Sequence, residues 1–431
     1  NAHAQIMDGS VVHIRNNYES LNFDFGPTLL FWLQTHGKSA YRMLRRGDEL
    51  SREEGGHGNA IAQSYNHSIL PLLEPRAREL QIEWGIQDFI VRFGRRPEGI
   101  WLPECAADDD TLAAVAQAGI AFVILGSDQG LFSSSGREAG PFLWHRDELS
   151  LAVFRFDRNV SGAIAFSDLL SDGQHLAGAL AENALALEPG QALLVATDGE
   201  TFGHHKRAGA AELARAIRIL NQRDDVAVIN CADYLKDHPA AGHFRIDSAS
   251  AWSCGHGVER WRSNCGCRMD RHTSQEWRGP LRAAMDFTHH HCNAIYDRFA
   301  ASLVADSWAA LKEAARLFAD PAAIVQEEFF TRHKAKDEAA REQMLRLFEM
   351  MRAAEAALTS CAWFFDDFGG LEGRVVLRWA ARAVEIAAEL APSIEPELLQ
   401  RLREIRSNRN EIGDAATLYL SLKTREARGR V

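Results

Sequence analysis

Apolar and polar positions follow two different periods along this chain, and the period changes near residue 250. Before that point, short apolar runs bounded by turn residues alternate with Ala-rich stretches of helical spacing. After it, only the helical spacing remains. The apolar runs predict strands at 21–25, 99–102, 120–126, 149–156, 192–197 and 226–230. The helical spacing predicts helices at 280–300, 306–319, 339–360, 372–390 and 396–406.

The two periods predict an α/β fold followed by a helical one, because strands that alternate with helices are typical of a parallel sheet or barrel. One predicted helix covers 111–118, with Asp108–Asp110 as N-cap candidates. Residues 236–250 are polar, contain Pro and Gly, and are predicted as a linker. We therefore expect a barrel domain over 1–235, this linker, and a mostly α-helical C-terminal domain over 251–431.

Composition narrows the class of protein. With 431 residues, a net charge of −11 and 46% apolar residues, the chain has the balance of a soluble globular protein. The negative charge disfavours nucleic acid and anionic membranes as partners, and no apolar run reaches the ~18 residues of a membrane span. Seven cysteines without regular spacing favour a reducing, cytoplasmic compartment. The chain begins at Asn1 without Met, which is typical of an internal fragment, so a lost signal peptide stays an open alternative.

Two acidic motifs follow predicted strands. In GIWLPECA, residues 99–106, Pro103 ends the strand and Glu104 comes directly after it. In ATDGETFGHH, residues 196–205, an apolar run ends at Asp198 with glycines that allow a tight turn. Side chains at the carboxyl ends of barrel strands converge on one site, and two carboxylates there suit glycoside cleavage. The alternatives are a surface loop acid for Glu104 and a helix N-cap for Asp198.

These motifs resemble those of glycoside hydrolase family 57. GIWLPECA is similar to the family's nucleophile region, and ATDGETFGHH is similar to its acid/base region. A third stretch, GHGNAIAQSYNHSILPLL at 56–73, resembles the motif in which a His precedes Leu-Pro-Leu. The order and spacing of the three agree with the family. The resemblance covers roughly 15–235, and the remainder is similar to a helical extension found on one branch of the family.

The resemblance implies an incomplete (β/α)7 barrel whose first strand, with the family's first motif, is absent from this sequence. It implies retaining hydrolysis or transglycosylation of α-glucans, without a cofactor. Glu104 would be the nucleophile and Asp198 the acid/base. The implied substrate-binding residues of the barrel are His57, His67, Trp101, Asp157, Phe202 and His204. Because amylases, branching enzymes and glucanotransferases share the family, linkage and chain length stay undetermined.

A third cluster, WSCGHGVERW at 252–261, is followed by Cys265 and Cys267. We expect this Trp- and Gly-rich loop to reach over the cleft, with Trp252, His256 and Trp261 contacting sugar; a core role for both tryptophans is the equal alternative. Trp363 is a further stacking candidate, again with a core role as the alternative. The set Cys254, His256, Cys265 and Cys267 is a zinc alternative, disfavoured because its ligands are spaced more tightly than in usual structural sites.

Two further structural expectations and two rival functions also follow from the sequence. The run His289–His291 is predicted to lie on a solvated helix face, and the basic end 423–430 is predicted as a frayed tail. One rival function is a metal-dependent polysaccharide deacetylase that uses Asp198, His204 and His205, which would leave Glu104 idle. Another rival is a glucan-binding protein without catalysis, which the presence of both carboxylates opposes.

Overall fold

The computed structural model describes residues 4–8, 11–133 and 140–429, and side chains over 15–133 and 140–423. The chain forms two compact units. The sheet unit comprises Asn1–Gln63 and Arg92–Ser248, and the helical unit comprises Ser64–Val91 and Ala249–Val431.

The strands of the described chain all lie in the sheet unit. Numbered in chain order, they are β1 (Ala4–Asp8), β2 (Val11–Arg15), β3 (Ala62–Gln63), β4 (Gly99–Trp101), β5 (Phe122–Gly126), β6 (Leu131–Ser133), β7 (Pro141–Arg146), β8 (Leu149–Phe156) and β9 (His243–Arg245).

The helices occur in both units. Numbered in chain order, they are α1 (Pro27–His36), α2 (Lys38–Gly55), α3 (Pro75–Phe93), α4 (Asp109–Gln117), α5 (Arg158–Phe166), α6 (Gly173–Leu185), α7 (Gly209–Leu220), α8 (Cys231–Asp237), α9 (Arg278–Ala300), α10 (Ser307–Glu313), α11 (Ala315–Ala319), α12 (Ala323–Arg332), α13 (Glu338–Ala356), α14 (Cys361–Phe364), α15 (Leu371–Ala387), α16 (Ile394–Arg403) and α17 (Ala415–Gly429).

The main sheet has a parallel centre. Its order is β3-β4-β5-β8-β7-β9-β6, and β3, β4, β5 and β8 run parallel. Parallel single-residue bridges join Phe23 to Ala60 and Phe156 to Leu194. Helices connect the parallel segments, as parallel strands require, and the predicted α/β class is confirmed.

Several predicted strands are confirmed and one is wrong. β4, β5 and β8 lie within the predicted runs 99–102, 120–126 and 149–156, whereas the runs 21–25 and 192–197 contribute only the single bridges. The predicted strand 226–230 is wrong, because the chain there is irregular and joins no sheet. Val228 and Ile229 of this run are exposed, so its apolar composition does not correspond to a buried strand.

Helix starts in the sheet unit follow the local sequence. Asp108 caps α4, Asp157 caps α5 and Asn230 caps α8, each through a side-chain oxygen that accepts a backbone N–H. The cap at Asp108 confirms the predicted helix start. Asp157 comes directly after β8, so its cap begins α5 where the chain leaves that strand.

Residues 64–91 fold with the helical unit, although the sequence placed them in the barrel domain. The indole of Trp84 in α3 is fully buried, and its Nε1 donates to the Leu311 carbonyl at 2.6 Å. Gln81, also on α3, donates to the Glu355 carboxylate at 2.8 Å. These contacts hold α3 against α10 and α13. The domain boundaries at 235 and 251 stay a prediction.

The core of the helical unit lies between α9, α13 and α15. The Tyr296 ring of α9 stacks on Phe348 of α13, with ring centroids 6.3 Å apart, and both are fully buried. The predicted helices of this half are confirmed, with 306–319 divided into α10 and α11. α17 covers the predicted tail as far as Gly429, and Arg430 lies outside the described residues. In the described chain, every helix is too short or too polar to cross a bilayer.

A buried ion pair joins α9 to α13. His289 Nε2 lies 2.7 Å from Glu355 Oε1, and the two side chains are 7% and 1% exposed. The expectation of a solvated face is therefore wrong for His289, whereas His290 is exposed. Burial by itself lowers the pKa of His289, but the charge of Glu355 and its hydrogen bond outweigh this and raise the pKa above 6.5.

This pair predicts a pH-dependent contribution to stability. Because the folded-state pKa of His289 is raised, the stabilisation is fully present below pH ~6.5 and is lost as pH rises through the folded value. We expect His289→Ala to lower the free energy of unfolding at pH 6 by about 3–5 kcal/mol, with a smaller loss at pH 9. Urea denaturation at both pH values measures this, and exposed His290→Ala is the control. An equal loss for His289→Ala at the two pH values would contradict the assignment.

Candidate functional site

Glu104 lies on a strained turn directly after β4. Its backbone has φ 58°, and that of Cys105 has φ 48°, so two consecutive residues other than glycine adopt the left-handed region. Such conformations cost about 1–3 kcal/mol each and persist where the surrounding structure imposes them, often at functional sites. Pro103 begins this turn, and the Cys105 N–H donates to the Leu102 carbonyl at 2.8 Å. The Glu104 side chain is half-buried.

Gln129 holds this turn to the neighbouring strand. Its side-chain oxygen accepts the N–H of Gly126, the last residue of β5, at 2.9 Å. Its Nε2 donates to the Cys105 carbonyl at 2.6 Å, and the residue is 1% exposed. Sequence analysis missed Gln129, because a polar residue in a turn carries no local sign that it is buried.

Asp198 lies on the turn that follows the 192–197 run. It precedes the short 3-10 helix Gly199–Thr201, and its carbonyl accepts the Thr201 N–H at 3.1 Å. Its side chain makes no capping hydrogen bond to this helix and is exposed. The alternative of Asp198 as a side-chain N-cap is therefore wrong.

The charges of both carboxylates act on the buried thiol of Cys105. Burial raises the pKa of the Cys105 thiol well above its usual range, and the charges of Glu104, Asp198 and Asp24 raise it further, while Arg158 opposes them. Because such effects come from nearby groups, the four charges share one neighbourhood at the carboxyl edge of the sheet. Glu104 and Asp198 are 94 residues apart in the sequence, yet both lie near enough to Cys105 for their charges to raise its pKa.

Asp24 and Arg158 are members of this cluster that sequence analysis did not single out. Asp24 is half-buried and follows Phe23, the residue that bridges to Ala60. Asp24 lies inside the predicted strand 21–25, before Phe25, so the pattern of an acid directly after an apolar run did not single it out. Arg158 begins α5 and pairs with Asp128.

Two predicted sugar contacts have structural roles. Asp157 Oδ1 accepts the Val160 N–H at 2.8 Å and caps α5. Phe202 is half-buried and packs against the apolar cluster that contains Leu170 and Leu213. Neither observation tests sugar binding, which stays a prediction for both residues.

The other residues of the sheet unit that were predicted to bind sugar do not all lie at the same end of the strands. Trp101 is half-buried at the end of β4, three residues before Glu104. His57 pairs with Glu98, which precedes β4, so the structure does not bring His57 to the edge where Glu104 lies. His204 is exposed, and its ring centroid is 4.9 Å from that of His205.

Within the helical unit, His67 is held by the segment before α14. Its Nδ1 lies 2.7 Å from Ser360 Oγ, and its carbonyl accepts the Ser360 N–H at 3.0 Å. Its backbone is left-handed at φ 56°. Trp252 is half-buried in the turn closed by the bridge between Ala251 and Cys254. Sugar binding by His67 and Trp252 stays a prediction.

Trp261 and Trp363 are core residues, so their predicted stacking on sugars is corrected. Trp261 is 1% exposed and Trp363 is 2% exposed, and no ring face remains for a ligand. Trp363 Nε1 donates to the Arg278 carbonyl at 3.0 Å, which ties α14 to α9. Their burial favours the core role that was the alternative for both, because a folded protein gains stability when a large apolar ring is removed from water.

The side chains of Cys254, His256, Cys265 and Cys267 lie together in the helical unit. Among the residues with described side chains, this is the group whose spacing suits a metal ion. Among the described side chains, Asp198, His204 and His205 do not form a group of that spacing. The sheet unit contains the half-buried carboxylate of Glu104 and the exposed carboxylate of Asp198. Two such groups suit nucleophilic attack by one and proton transfer by the other.

Comparison with known sequences gives two regional matches. Residues 14–247 match the family described as Glycosyl hydrolase family 57, and residues 274–427 match a domain of unknown function, DUF3536. Alpha-amylase 1 of Dictyoglomus thermophilum is 25% identical over 186 residues, which make up 42% of this chain and 26% of that protein. The 4-alpha-glucanotransferase of Thermococcus litoralis is 22% identical over 187 residues, with the same two coverages. The match thus spans about a quarter of each of these curated relatives.

Solved structures with the same fold include two amylases. The exo-type maltose-forming amylase from Pyrococcus sp. ST04 superposes with a TM-score of 0.68 at 17% identity, over 90% of this chain and 72% of that one. The alpha-amylase from Thermotoga maritima superposes with a TM-score of 0.54 at 11% identity, over 93% and 89%. These likenesses establish a shared fold.

Proposed function

The chain belongs to glycosyl hydrolase family 57, and on that premise we propose that it is a retaining α-glucan hydrolase or transglycosylase. Glu104 is the nucleophile and Asp198 the acid/base. The observation that carries the proposal is the place of Glu104 on a strained turn directly after β4. The charge of Asp198 acts on Cys105, the neighbour of Glu104 in this turn, which supports the pairing of the two carboxylates. The names of the relatives, an amylase and a glucanotransferase, support an α-glucan as substrate.

The proposed mechanism has two displacements. Asp198, exposed on its turn, donates a proton to the glycosidic oxygen as the bond to the anomeric carbon breaks. Glu104 attacks that carbon from the opposite face, and its left-handed backbone holds the carboxylate in one direction. Asp198 then takes a proton from water or from a sugar hydroxyl, which displaces Glu104 and restores the original anomeric configuration.

Hydrolysis and transfer differ only in the acceptor of the second displacement. Water gives a new reducing end, and a sugar hydroxyl gives a new glycosidic bond.

Three further residues are proposed to contact the sugar: Trp101 by its place at the end of β4, and Phe202 and His204 by their turn next to Asp198. A cytoplasmic location is proposed as well, supported by the seven free thiols.

Product analysis tests the function. The protein is incubated with maltoheptaose and with amylose, and the products are separated by chromatography and assayed for reducing ends. We expect shorter sugars with new reducing ends from a hydrolase, and longer or branched products without them from a transferase. Retained α-configuration in the first product, read by proton NMR, supports the double displacement. An unchanged substrate in both incubations, or a β-configured first product, would contradict the proposal.

Replacing Gln129 should slow the same reaction, because Gln129 holds the turn that carries Glu104. Replacing it with Leu removes both hydrogen bonds that hold the turn of Glu104. Because a displacement of about 1 Å at a catalytic group can cost ~100-fold in rate, we expect kcat to fall about 10- to 100-fold with KM nearly unchanged. Steady-state kinetics on maltoheptaose measure this, and exposed Gln117→Leu is the control. A loss confined to KM, or one matched by the control, would argue against positioning.

A further inference from the structure

Three thiols and one imidazole converge in the helical unit, and the two displacements proposed above use none of them. Sugar binding by His256 stays a prediction. The ligand atoms of Cys254, His256, Cys265 and Cys267 all lie within 4.8 Å of one another. Cys254 is buried, Cys265 and Cys267 are half-buried, and His256 is exposed. Such a group is the donor set of a Cys3His zinc site.

Two separations within the cluster match a tetrahedral metal. With Zn–S about 2.3 Å and Zn–N about 2.05 Å, tetrahedral angles place two sulfurs ~3.8 Å apart and a sulfur and a nitrogen ~3.6 Å apart. The Sγ atoms of Cys254 and Cys267 are 3.9 Å apart. Cys267 Sγ and His256 Nδ1 are 3.6 Å apart. Both measured separations are the edges that a zinc tetrahedron requires.

Two left-handed glycines explain how such closely spaced ligands share one centre. Gly266, between Cys265 and Cys267, has φ 84°, and Gly257, directly after His256, has φ 76°. A Cβ on Gly257 would lie 2.4 Å from the Ala249 carbonyl oxygen, so the turn needs glycine there. The tight spacing that disfavoured a metal in the sequence is therefore accommodated by the backbone.

A buried arginine complements the charge of the cluster. Three thiolates, one neutral imidazole and Zn²⁺ carry a net charge of about −1. The fully buried Arg278 lies with Nη1 4.0 Å from Cys265 Sγ, and the same nitrogen donates to the Cys267 carbonyl at 2.8 Å. A buried guanidinium is costly unless it is paired, and an anionic metal cluster is such a partner.

We propose that Cys254, His256, Cys265 and Cys267 bind one structural Zn²⁺. Binding converts the three thiols to thiolates, forms three Zn–S bonds and one Zn–N bond through Nδ1, and releases three protons. Four protein ligands close the coordination sphere, so the metal stabilises and does no chemistry. Through Arg278, whose Nη1 donates to the Cys267 carbonyl, the site is linked to the start of α9. The proposal thus takes up the zinc alternative that the ligand spacing disfavoured in the sequence.

Metal content and cobalt substitution of the whole chain test this. After exchange into chelator-treated buffer, we expect ~1 zinc per chain by mass spectrometry of the metal. The cobalt-substituted protein should show thiolate-to-cobalt charge-transfer absorption and the visible bands of a tetrahedral ion. Titration with a mercurial that blocks thiols should release the zinc. A folded protein with less than ~0.1 zinc, or a cobalt spectrum without charge transfer, would overturn the proposal.

Variants identify the ligands. The double variant Cys254→Ser with Cys267→Ser should retain below ~0.1 zinc, while Cys361→Ser, an exposed thiol of the same unit, should retain the parent content. Equal zinc in parent and double variant would overturn the assignment. If the double variant does not fold, the spectrum of the cobalt-loaded parent decides. A disulfide between Cys254 and Cys267 would also overturn the assignment. It would show as two fewer free thiols when the parent protein is stripped of metal, denatured without a reductant and titrated for thiols. These readouts do not depend on glucan turnover.

Discussion

Glu104→Gln should abolish turnover of maltoheptaose while leaving the sugar bound. The amide keeps the size and most hydrogen bonds of the carboxylate, but it does not attack the anomeric carbon to form the covalent intermediate. We expect kcat to fall at least about 1,000-fold, with the dissociation constant for maltoheptaose within ~3-fold of the parent value. Initial rates by chromatography and binding by calorimetry measure the two effects.

Glu182→Gln is the matched control for this variant, because Glu182 is an exposed acid of α6 in the same unit. Its activity should equal that of the parent. A second variant, Glu104→Gly, should cleave α-maltosyl fluoride when azide is added and give a β-configured glycosyl azide, since azide takes the place of the carboxylate. If Glu104→Gln keeps more than a few per cent of parental turnover in a preparation free of parent enzyme, Glu104 is not the nucleophile.

Asp198→Asn should impair turnover only of substrates whose leaving group must be protonated. The glycosidic oxygen of maltoheptaose leaves poorly without protonation, whereas fluoride leaves without it. We expect turnover of maltoheptaose to fall about 100- to 10,000-fold, with formation of the glycosyl-enzyme from α-maltosyl fluoride within ~10-fold of the parent rate. Stopped-flow detection of released fluoride measures the second rate.

Azide distinguishes the role of Asp198 from that of Glu104. With Asp198→Asn, azide should attack the covalent intermediate and give an α-configured glycosyl azide, the opposite of the Glu104→Gly product. Exposed Asp224→Asn is the control, because Asp224 lies on the surface between α7 and α8. Equal losses on maltoheptaose and on maltosyl fluoride would show that Asp198 positions the substrate and transfers no proton.

The strained turn that carries Glu104 is held in place by a buried residue next to β5. Two successive left-handed residues are held by Gln129, which itself is buried and bonded to the end of β5. The turn therefore depends on the neighbouring strand and does not form from its own sequence. A variant of Gln129 should act on the same catalytic step as Glu104 but more weakly, because the carboxylate remains and only its direction is lost.

The amino-acid sequence by itself predicted much of the local structure and singled out the two candidate carboxylates. The helical spacing after residue 250, the cap at Asp108 and the apolar runs of β4, β5 and β8 all appear in the structure, because period and capping depend on near neighbours. Glu104 and Asp198 were identified because an acid directly after an apolar run is a local pattern, and the family motifs contain both.

Only the tertiary structure decided burial and convergence. It placed Trp261 and Trp363 in the core, made the 226–230 run irregular, and grouped residues 64–91 with the helical unit. It also placed Asp24 and the two carboxylates within electrostatic reach of Cys105, and it folded the four zinc-ligand candidates into one cluster. The physical reason is that exposure and proximity depend on which distant segments pack together, and a pattern of near neighbours along the chain does not contain that information.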